Sequence, residues 1–352
     1  MTAATPHALP VQDPPGSSGP SAVSPGPATE HDDVVVGVDG SSSTGTTLQR
    51  AVREAQTGRR HLHLVHAWST PVWLGDGLSD SHRALRSPAD NARAADQLVQ
   101  TLLTERATRQ ADPTSRDGVG ITAEATEGEP GRVLVRACRG AALVVLGGSG
   151  HGGPAATTVG SATAYVLLHA SCPVLVVPPG GASSGAFARV VVGLDGLAGS
   201  GSALLWAADA ARRHDCPLVV VHAWSTTPRR GSASVTRPTA GDPTTDDQAT
   251  AKHAGLERQV AVLLPTPPTH TQLHVRPGEA TRVLLDETGP QDLLVLGYRG
   301  SGSLTDPGMG SVATQCVEWS RVPVAVVREG QERPTHRLSL LSDPRRPGVS
   351  QY

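Results

Sequence analysis

The chain has 352 residues, 38% of them hydrophobic, so it is long enough to bury two cores of ordinary size. Its 30 basic and 32 acidic residues leave a formal net charge of −2, which gives no electrostatic reason to expect a nucleic acid or an anionic membrane as partner. No apolar run approaches the roughly 18 residues that a membrane-spanning helix needs. Composition therefore favours a soluble protein of two domains.

The two ends of the chain differ in composition from the rest. Residues 1–30 are rich in Pro, Ala, Ser and Gly and lack the basic start and apolar segment of a secretory signal, so they predict a disordered arm. Residues 329–352 predict a second such tail. The four cysteines form no C-x-x-C pair that would indicate a zinc site or a redox centre, and a reducing cytoplasm is the simplest location.

Apolar runs in the first half predict five strands with helices between them. The predicted strands are 34–38, 62–67, 121–126, 143–146 and 174–177, and the predicted helices lie near 44–56, 91–109, 131–139 and 162–169. Most of these strands show no polar alternation, which indicates burial on both faces in a parallel sheet. The fold class is therefore α/β, with a doubly wound parallel sheet of five strands.

The second half repeats this order with strands at 190–194, 218–223, 271–275, 293–296 and 324–327. Asp39 and Asp195 are 156 residues apart and Pro173 and Pro323 are 150 apart, so the second copy is six residues shorter. A repeat of this length indicates tandem domains rather than a solenoid. We predict domains at 31–179 and 188–328, joined by a linker at 180–187.

A glycine pattern occurs once in each half, after an apolar run and before a helical segment. It reads G-x-x-G, nine residues, G-S. It falls on Gly147, Gly150, Gly160 and Ser161, and again on Gly297, Gly300, Gly310 and Ser311. A strand that leads into a glycine loop and a helix start is a place where backbone N–H groups converge on a phosphate. Glycine suits the loop because a Cβ would block close approach of the anion.

These features together resemble the universal stress protein family, in the tandem form common in actinobacteria. The resemblance rests on V-D-G-S at 38–41, V-H-A at 65–67, the glycine loop with its nine-residue gap, and C-P-V-L-V-V at 172–177. It implies two Rossmann-like domains of the adenine nucleotide alpha hydrolase-like type. It also implies ATP as the ligand, with or without Mg²⁺, and no metal site built by the protein alone.

The resemblance implies a site in each half. In members that bind ATP, an aspartate after the first strand lies beside adenine and ribose, and the residue after the second-strand histidine meets adenine through its backbone. The nucleoside roles fall on Asp39, Gly40 and Ala67, and on Asp195, Gly196 and Ala223. The phosphate roles fall on Gly147, Gly150, Gly160, Ser161 and Ala162, and on Gly297, Arg299, Gly300, Gly310, Ser311 and Val312.

The two sites differ in sequence. Arg299 stands in the second loop where the first has Ser149, and Asp306 adds a charge that opposes phosphate. Leu197 replaces Ser41, which removes one polar group from the second site. We therefore expect unequal affinities, with no order assigned.

Other interpretations of the same residues stay open. The glycines also suit tight turns without a ligand, and Asp39 or Asp195 also suits a helix cap or a bond to a turn amide. Trp68 and Trp224 either stack on adenine or, as we favour, seal an edge of the core.

The histidines do not favour a metal site. His61, His63 and His66 lie close together in sequence, but only His66 is repeated, as His222, and no carboxylate joins them.

Binding is favoured over catalysis, and no catalytic residue is assigned. The loop is not a Walker A motif, because no G-K-[ST] follows it and the only lysine, Lys252, lies far away in sequence. A nucleotide-responsive stress regulator that acts through occupancy is the main hypothesis. A slow ATPase switch and a nucleotide-free dimerisation scaffold are the alternatives.

The last strand of each half, 174–177 and 324–327, is expected to join the two halves as an intramolecular pseudo-dimer. A further homodimer is compatible with this arrangement. The expected partner is an adenine nucleotide, with no nucleic acid and no membrane.

Overall fold

The computed structural model describes residues 32–69, 88–109, 119–148, 159–180, 185–195, 200–224, 245–299 and 308–331. The first half contains β1 (Val34–Val38), α1 (Thr44–Gly58), β2 (Leu62–Trp68), α2 (Pro88–Arg109), β3 (Ile121–Glu127), α3 (Pro130–Ala137), β4 (Leu143–Gly147), α4 (Ser161–His169) and β5 (Val174–Val177). The second half contains β6 (Val190–Gly193), α5 (Gly201–His214), β7 (Leu218–Trp224), α6 (Thr245–Leu263), β8 (Thr271–Pro277), α7 (Ala280–Glu287), β9 (Leu293–Gly297), α8 (Ser311–Trp319) and β10 (Val324–Val327).

Each half forms a doubly wound parallel sheet, which confirms the predicted fold class. The strand order is β3-β2-β1-β4-β5 in the first half and β8-β7-β6-β9-β10 in the second. All pairs within each half are parallel. Strands β1, β4, β6 and β9 are built almost entirely of Val and Leu, as strands covered by helices on both faces require.

The two sheets join into one. Strand β5 pairs with β10 in antiparallel register, with Val176 opposite Val324 and Val174 opposite Val326. The result is a single sheet of ten strands. Because the joining pair is antiparallel, the carboxyl edges of the two halves point in opposite directions.

Alternating side chains of the strands supply two cores, one on each face of the sheet. Val34 and Val36 pack with α1 and, farther along the sheet, the same core contains most of α5. Val35 packs into the opposite core. That second core takes its helical residues from α3, α4, α7 and α8. Both cores run through both halves, so the tandem domains share their apolar interior.

A buried charge cluster joins α1 of the first half to α5 of the second. The Glu54 side chain on α1 is only 1% exposed. One of its carboxylate oxygens lies 3.1 Å from Nε2 of His214 and 3.4 Å from the guanidinium of Arg213. The other oxygen lies 3.6 Å from Arg50, one helical turn earlier on α1. The cluster therefore places one carboxylate among three basic side chains from both domains.

This environment controls the ionisation of Glu54. Burial alone raises the pKa of the carboxyl group, but the His214 hydrogen bond and the charges of His214, Arg213 and Arg50 lower that pKa to about 2. Glu54 is therefore ionised at neutral pH, and the interface depends on that negative charge.

The end of the predicted linker packs into the same interface. Phe187 is 3% exposed, and its ring meets that of His214 edge to face at 4.8 Å. The Arg50 guanidinium lies over the Phe187 ring at 3.9 Å and donates a hydrogen bond to the Gly185 carbonyl at 3.2 Å. This part of the linker thus fills the interface between α1 and α5.

A short turn after β10 also contacts the first half. The Arg328 side chain donates hydrogen bonds to the carbonyls of Leu167, at 2.8 Å, and of Leu168, near the C-terminal end of α4. Its backbone N–H donates to the side chain of Gln331 at 2.8 Å. Residues through Gln331, which the sequence assigns to the C-terminal tail, are therefore part of the contact between halves.

We expect Glu54→Ala to lower the unfolding free energy by about 3–5 kcal/mol, because the change leaves three basic groups buried without their anion. Guanidinium denaturation measures this loss. Asp286→Ala is the control, since the Arg282–Asp286 pair is exposed and such pairs contribute little. Equal effects of the two changes would contradict the role of the cluster.

Acidification should weaken the interface through Glu54. A carboxyl group whose pKa falls from 4.5 to about 2 on folding contributes stability above pH 4.5, and this contribution disappears as the pH falls toward 2. The groups that face it are Arg50, Arg213 and His214, with Asp209 paired to Arg213.

The measurement compares unfolding free energies of wild type and Glu54→Gln from pH 7 to pH 3. The difference between them should shrink as the pH falls, since glutamine resembles the protonated acid. A difference that stays constant would show that Glu54 does not titrate in this range.

Candidate functional site

The candidate sites lie at the carboxyl edges of the two halves, where the strand order reverses. Strand β1 pairs with β2 on one side and β4 on the other, so Asp39, just after β1, and Gly147, which ends β4, share one edge. In the second half β6 lies between β7 and β9, so Asp195 and Gly297 lie together at the carboxyl edge of that half. Open α/β sheets bind ligands in the crevice at such a point.

Asp39 organises the turn between β1 and α1. Its Oδ1 accepts a hydrogen bond from the Ser41 backbone N–H at 2.9 Å and another from the Thr44 hydroxyl at 3.0 Å. Gly40 between them has φ of 76°, a left-handed conformation that favours glycine. Asp39 therefore binds a turn amide, which is one of the two interpretations that the sequence left open. Asp39 is also exposed at the carboxyl edge of the sheet.

Backbone hydrogen bonds hold the base of the first glycine loop. The Gly148 N–H donates to the Val177 carbonyl at 2.8 Å, and the Gly160 N–H donates to the Gly148 carbonyl at 3.0 Å. The Thr163 hydroxyl adds a bond to the Gly147 carbonyl at 2.8 Å. These bonds bring the start of α4 to the end of β4, although thirteen residues, 148–160, separate the two elements in sequence.

The start of α4 is suited to an anion. Gly160 is its N-cap and has no side chain that could cap the helix, so the amides of the first turn, from Ser161 and Ala162 onward, have no intrahelical acceptor. The partial positive charge of the helix dipole adds to their attraction for a phosphate.

The second half reproduces this base. The Tyr298 N–H donates to the Val327 carbonyl at 2.8 Å, and the Gly310 N–H donates to the Tyr298 carbonyl at 2.9 Å. Gly310 is the N-cap of α8 and likewise has no capping side chain. Ser311 and Val312 therefore present the same uncapped first turn.

The structure brings most of the predicted residues to these two edges. Ala67 and Ala223 are the second-last residues of β2 and β7, and Arg299 is exposed just after β9. Gly150, Gly196 and Gly300 lie outside the described residues, as do Leu197 and Asp306.

The repeated histidines connect neighbouring strands beside the site. Nδ1–H of His66 donates to the Val38 carbonyl at 2.8 Å, and Nδ1–H of His222 donates to the Leu194 carbonyl at 2.8 Å. Because a carbonyl can only accept, the proton must be on Nδ1 in both rings. These bonds hold the residue before Asp39 and the residue before Asp195.

Sequence reasoning missed Lys252. The Lys252 ammonium lies 5.8 Å from the centre of the Trp224 ring, so α6 brings the only lysine to the end of β7, next to Ala223. Trp224 is 5% exposed, which agrees with the predicted role in closing the core. No sequence motif links Lys252 to Trp224, 28 residues earlier in the chain.

A second missed feature distinguishes the two loops. Tyr298 occupies the position of Gly148, and the Arg328 guanidinium lies over its ring at 3.5 Å. Because Arg328 also bonds to α4, the base of the second loop is connected to the first half. The first loop has Pro178 at the corresponding position after its last strand.

The described residues contain no group of three or more His, Cys, Asp or Glu side chains arranged to hold a metal ion. None of the helices within those same ranges has the length and apolarity needed to cross a membrane.

The fold is that of a tandem α/β protein, with a crevice at the carboxyl edge of each half where the strand order reverses and a helix begins without a side-chain cap. The model of the universal stress protein family matches residues 30–178 and 186–328. The chain therefore belongs to the universal stress protein family.

Relatives and solved structures agree with this assignment. A universal stress protein of Mycobacterium tuberculosis is 29% identical over 302 residues, covering 84% of this chain and 96% of its own. One of Mycobacterium bovis is 30% identical over 313 residues, covering 85% and 96%. A universal stress protein structure from Archaeoglobus fulgidus has a TM-score of 0.57 at 17% identity, covering 85% of this chain and 99% of its own, which shows a shared fold.

We expect His66→Ala and His222→Ala each to lower the unfolding free energy by about 1 kcal/mol, because each removes one partly buried hydrogen bond between strands. Urea denaturation measures the change. His253→Ala is the matched control, since His253 lies on an exposed helix face and should change stability by less than about 0.5 kcal/mol. If the loss of unfolding free energy is no larger than in the control, the two histidines do not stabilise the strands beside the site.

Proposed function

We propose that this universal stress protein binds ATP in one or both halves and acts as a nucleotide-responsive stress regulator through occupancy. The observation that carries the proposal is the meeting of two features at each carboxyl edge. These are the uncapped start of α4 or α8, and the aspartate that follows β1 or β6. Backbone N–H groups that can donate hydrogen bonds to phosphate therefore lie beside a carboxylate that can accept them from ribose, and this combination suits a nucleotide.

The helix starts would hold the polyphosphate. Backbone amides at Ser161 and Ala162, and at Ser311 and Val312, are donors in fixed positions, because the loop base is closed by the bonds of Gly160 and Gly310. Fixed donors lose little conformational entropy on binding an anion. Bound Mg²⁺ would neutralise part of the phosphate charge, and ATP brings that ion with it.

The strand ends would hold the nucleoside. Asp39 and Asp195 offer carboxylate oxygens to the ribose hydroxyls, the polar contact that Rossmann-type sites use. Ala67 and Ala223 offer backbone groups at the ends of β2 and β7 to the edge of adenine. Small side chains at these two positions leave room for a flat base.

The two sites should differ in affinity. The second has Arg299 beside the loop and Lys252 beside the end of β7, and both charges favour an anionic ligand. Tyr298 in place of Gly148 makes the base of this loop bulkier and connects it to Arg328. Unequal sites in one chain would let the protein respond over two ranges of nucleotide concentration.

Occupancy rather than turnover fits the groups present. The sequence has no Walker A lysine, and Lys252 lies on α6, which packs on β8 at the opposite face from α8. The glycine loops therefore lack the lysine that a Walker A site places on the phosphates. The β5–β10 pairing suits a pseudo-dimer in which nucleotide bound in either half would act on the one interface that both halves share.

Calorimetry against ATP, ADP, AMP and cyclic AMP tests the proposal. ATP should bind to wild type, and Gly150→Val and Gly300→Val should each abolish one binding event, because a branched side chain obstructs the loop. A loss of tenfold or more corresponds to about 1.4 kcal/mol or more. If wild type shows no binding at about millimolar ATP, this function is excluded. A dissociation constant of that size corresponds to a binding free energy of only about −4 kcal/mol.

Asp39→Asn separates the ligand role from the turn role. The asparagine side-chain oxygen can still accept the bonds from Ser41 and Thr44, so folding should be retained while ATP affinity at the first site falls. Phosphate release measured on the same samples should stay at background, and release that requires Asp39 would favour the slow ATPase instead.

A further inference from the structure

The turn that follows β10 contacts helices of both halves. The Gly330 N–H donates a hydrogen bond to the Ser202 hydroxyl oxygen at 3.3 Å, in the first turn of α5. The side-chain amide of Gln331 donates to the Ala170 carbonyl at 3.4 Å, directly after α4. The turn therefore lies between the start of a second-half helix and the end of a first-half helix.

Arg328, at the start of this turn, caps the C-terminal end of α4 from the other half. Its guanidinium donates to the Leu167 carbonyl at 2.8 Å and also to the Leu168 carbonyl. The last carbonyls of a helix have no donor within the helix, and a positive charge beside them is stabilised by the helix dipole. The second half thus holds the C-terminal end of α4.

The same guanidinium lies on the base of the second glycine loop. It stacks over the Tyr298 ring, 3.5 Å from the ring centre, and such a contact between a cation and an aromatic face is attractive. The two ends of the loop meet at Tyr298, because Tyr298 directly follows β9 and its carbonyl accepts a hydrogen bond from the Gly310 N–H at 2.9 Å. Arg328 therefore contacts the second loop base and the end of α4 at once.

Helix α4 connects this junction to the first site. Its nine residues span about 14 Å, and its first turn carries the phosphate donors proposed for Ser161 and Ala162. The Thr163 hydroxyl donates to the Gly147 carbonyl at 2.8 Å, which fixes that turn to the end of β4. A packed helix transmits a displacement from one end to the other, so the position of Arg328 bears on the donors of the first site.

The reverse connection is missing from the first half. Gly148 and Pro178 stand 150 residues before Tyr298 and Arg328. Glycine has no ring on which a cation could stack, and the proline side chain has no hydrogen-bond donor. The backbone turn itself is the same in both halves, with φ of 71° at Gly180 and 82° at Gly330. The fold therefore does not require the Arg328–Tyr298 contact, which is specific to the second half.

We propose that Arg328 is a positioning residue that couples the two nucleotide sites, so that ATP bound in the second half strengthens ATP binding in the first. The coupling rests on the proposed function. A ligand held by the second loop and the start of α8 fixes Tyr298, where the loop ends meet, and with it Arg328 and the end of α4. Helix α4 then loses less conformational freedom when it binds phosphate. By linkage, ATP in the first half strengthens the second site by the same factor.

Calorimetry with ATP measures this coupling factor. It is the overall binding constant for two ATP molecules in wild type, divided by the product of the two single-site constants. Gly300→Val leaves the first site alone and Gly150→Val leaves the second alone, so these variants supply the two single-site constants. We expect a factor of about five or more, the usual lower range for coupled sites.

Arg328→Ala should reduce the factor to about one when all three constants are measured in that background. Tyr298→Leu should do the same, because leucine is apolar but lacks the ring, whereas Tyr298→Phe should retain the coupling. Arg321→Ala is the matched control, since Arg321 is exposed in the segment before β10, at the opposite end of the strand from Arg328. It should leave the factor unchanged.

Hydrogen exchange without nucleotide tests the physical link by itself. Arg328→Ala should speed exchange of the amides of residues 164–169 in α4 by about fivefold, because the helix loses hydrogen bonds that hold its C-terminal end. Arg321→Ala should leave these rates as in wild type. Equal exchange rates in Arg328→Ala and wild type would overturn the link between Arg328 and α4.

The calorimetric outcomes separate this coupling from the proposed function. A single binding event in wild type, or two events with a factor near one, overturns the coupling while ATP binding stands. A factor that persists in Arg328→Ala overturns the role of Arg328. Only a wild type that binds no ATP excludes the proposed function, and the coupling is then excluded with it.

Discussion

The antiparallel pairing of β5 with β10 is the constraint on which the rest of the structure depends. It joins two parallel sheets at strands that would otherwise be exposed edges, and exposed apolar edges promote aggregation. The outer strands that remain, β3 and β8, carry alternating polar residues. Because the joining strands run in opposite directions, the two candidate sites lie at opposite edges of one sheet, and each site is near the amino edge of the other half.

The helices on one face reinforce that pairing through buried charge. Glu54 of the first half contacts Arg213 and His214 of the second half. A buried ion cluster adds little net stability compared with apolar packing, but it strongly penalises arrangements that separate its members. Phe187 fills the space beside it. The interface is therefore specific in geometry as well as apolar in composition.

The two sites share a backbone framework and differ in their side chains. In each half, hydrogen bonds from the residue after the fourth strand and from the helix N-cap close the loop base, so the amide positions follow from the fold. Side chains then distinguish the halves, with Tyr298, Arg328 and Lys252 in the second. The two halves therefore share the backbone geometry of the crevice and differ in the charged and aromatic side chains beside it.

The sequence alone predicted the local structure well. Valine-rich runs and the repeat were enough to place all ten strands and the parallel order within each half. They also placed Asp39 and Gly147 at one edge of the sheet, because parallel strands end at the same edge and both residues lie at the end of a strand. The resemblance to the universal stress protein family is confirmed by the match of the family model to both halves, while the roles that it implies for the glycine loop stay predictions.

Only the tertiary structure decided which distant residues meet. Glu54 and His214 are separated by 160 residues, and Lys252 looked remote from any site. Local periodicity reports which face of a strand or helix is buried, but it carries no information about the partner across an interface. That choice depends on how complete elements pack, and here it depends on the pairing of two central strands.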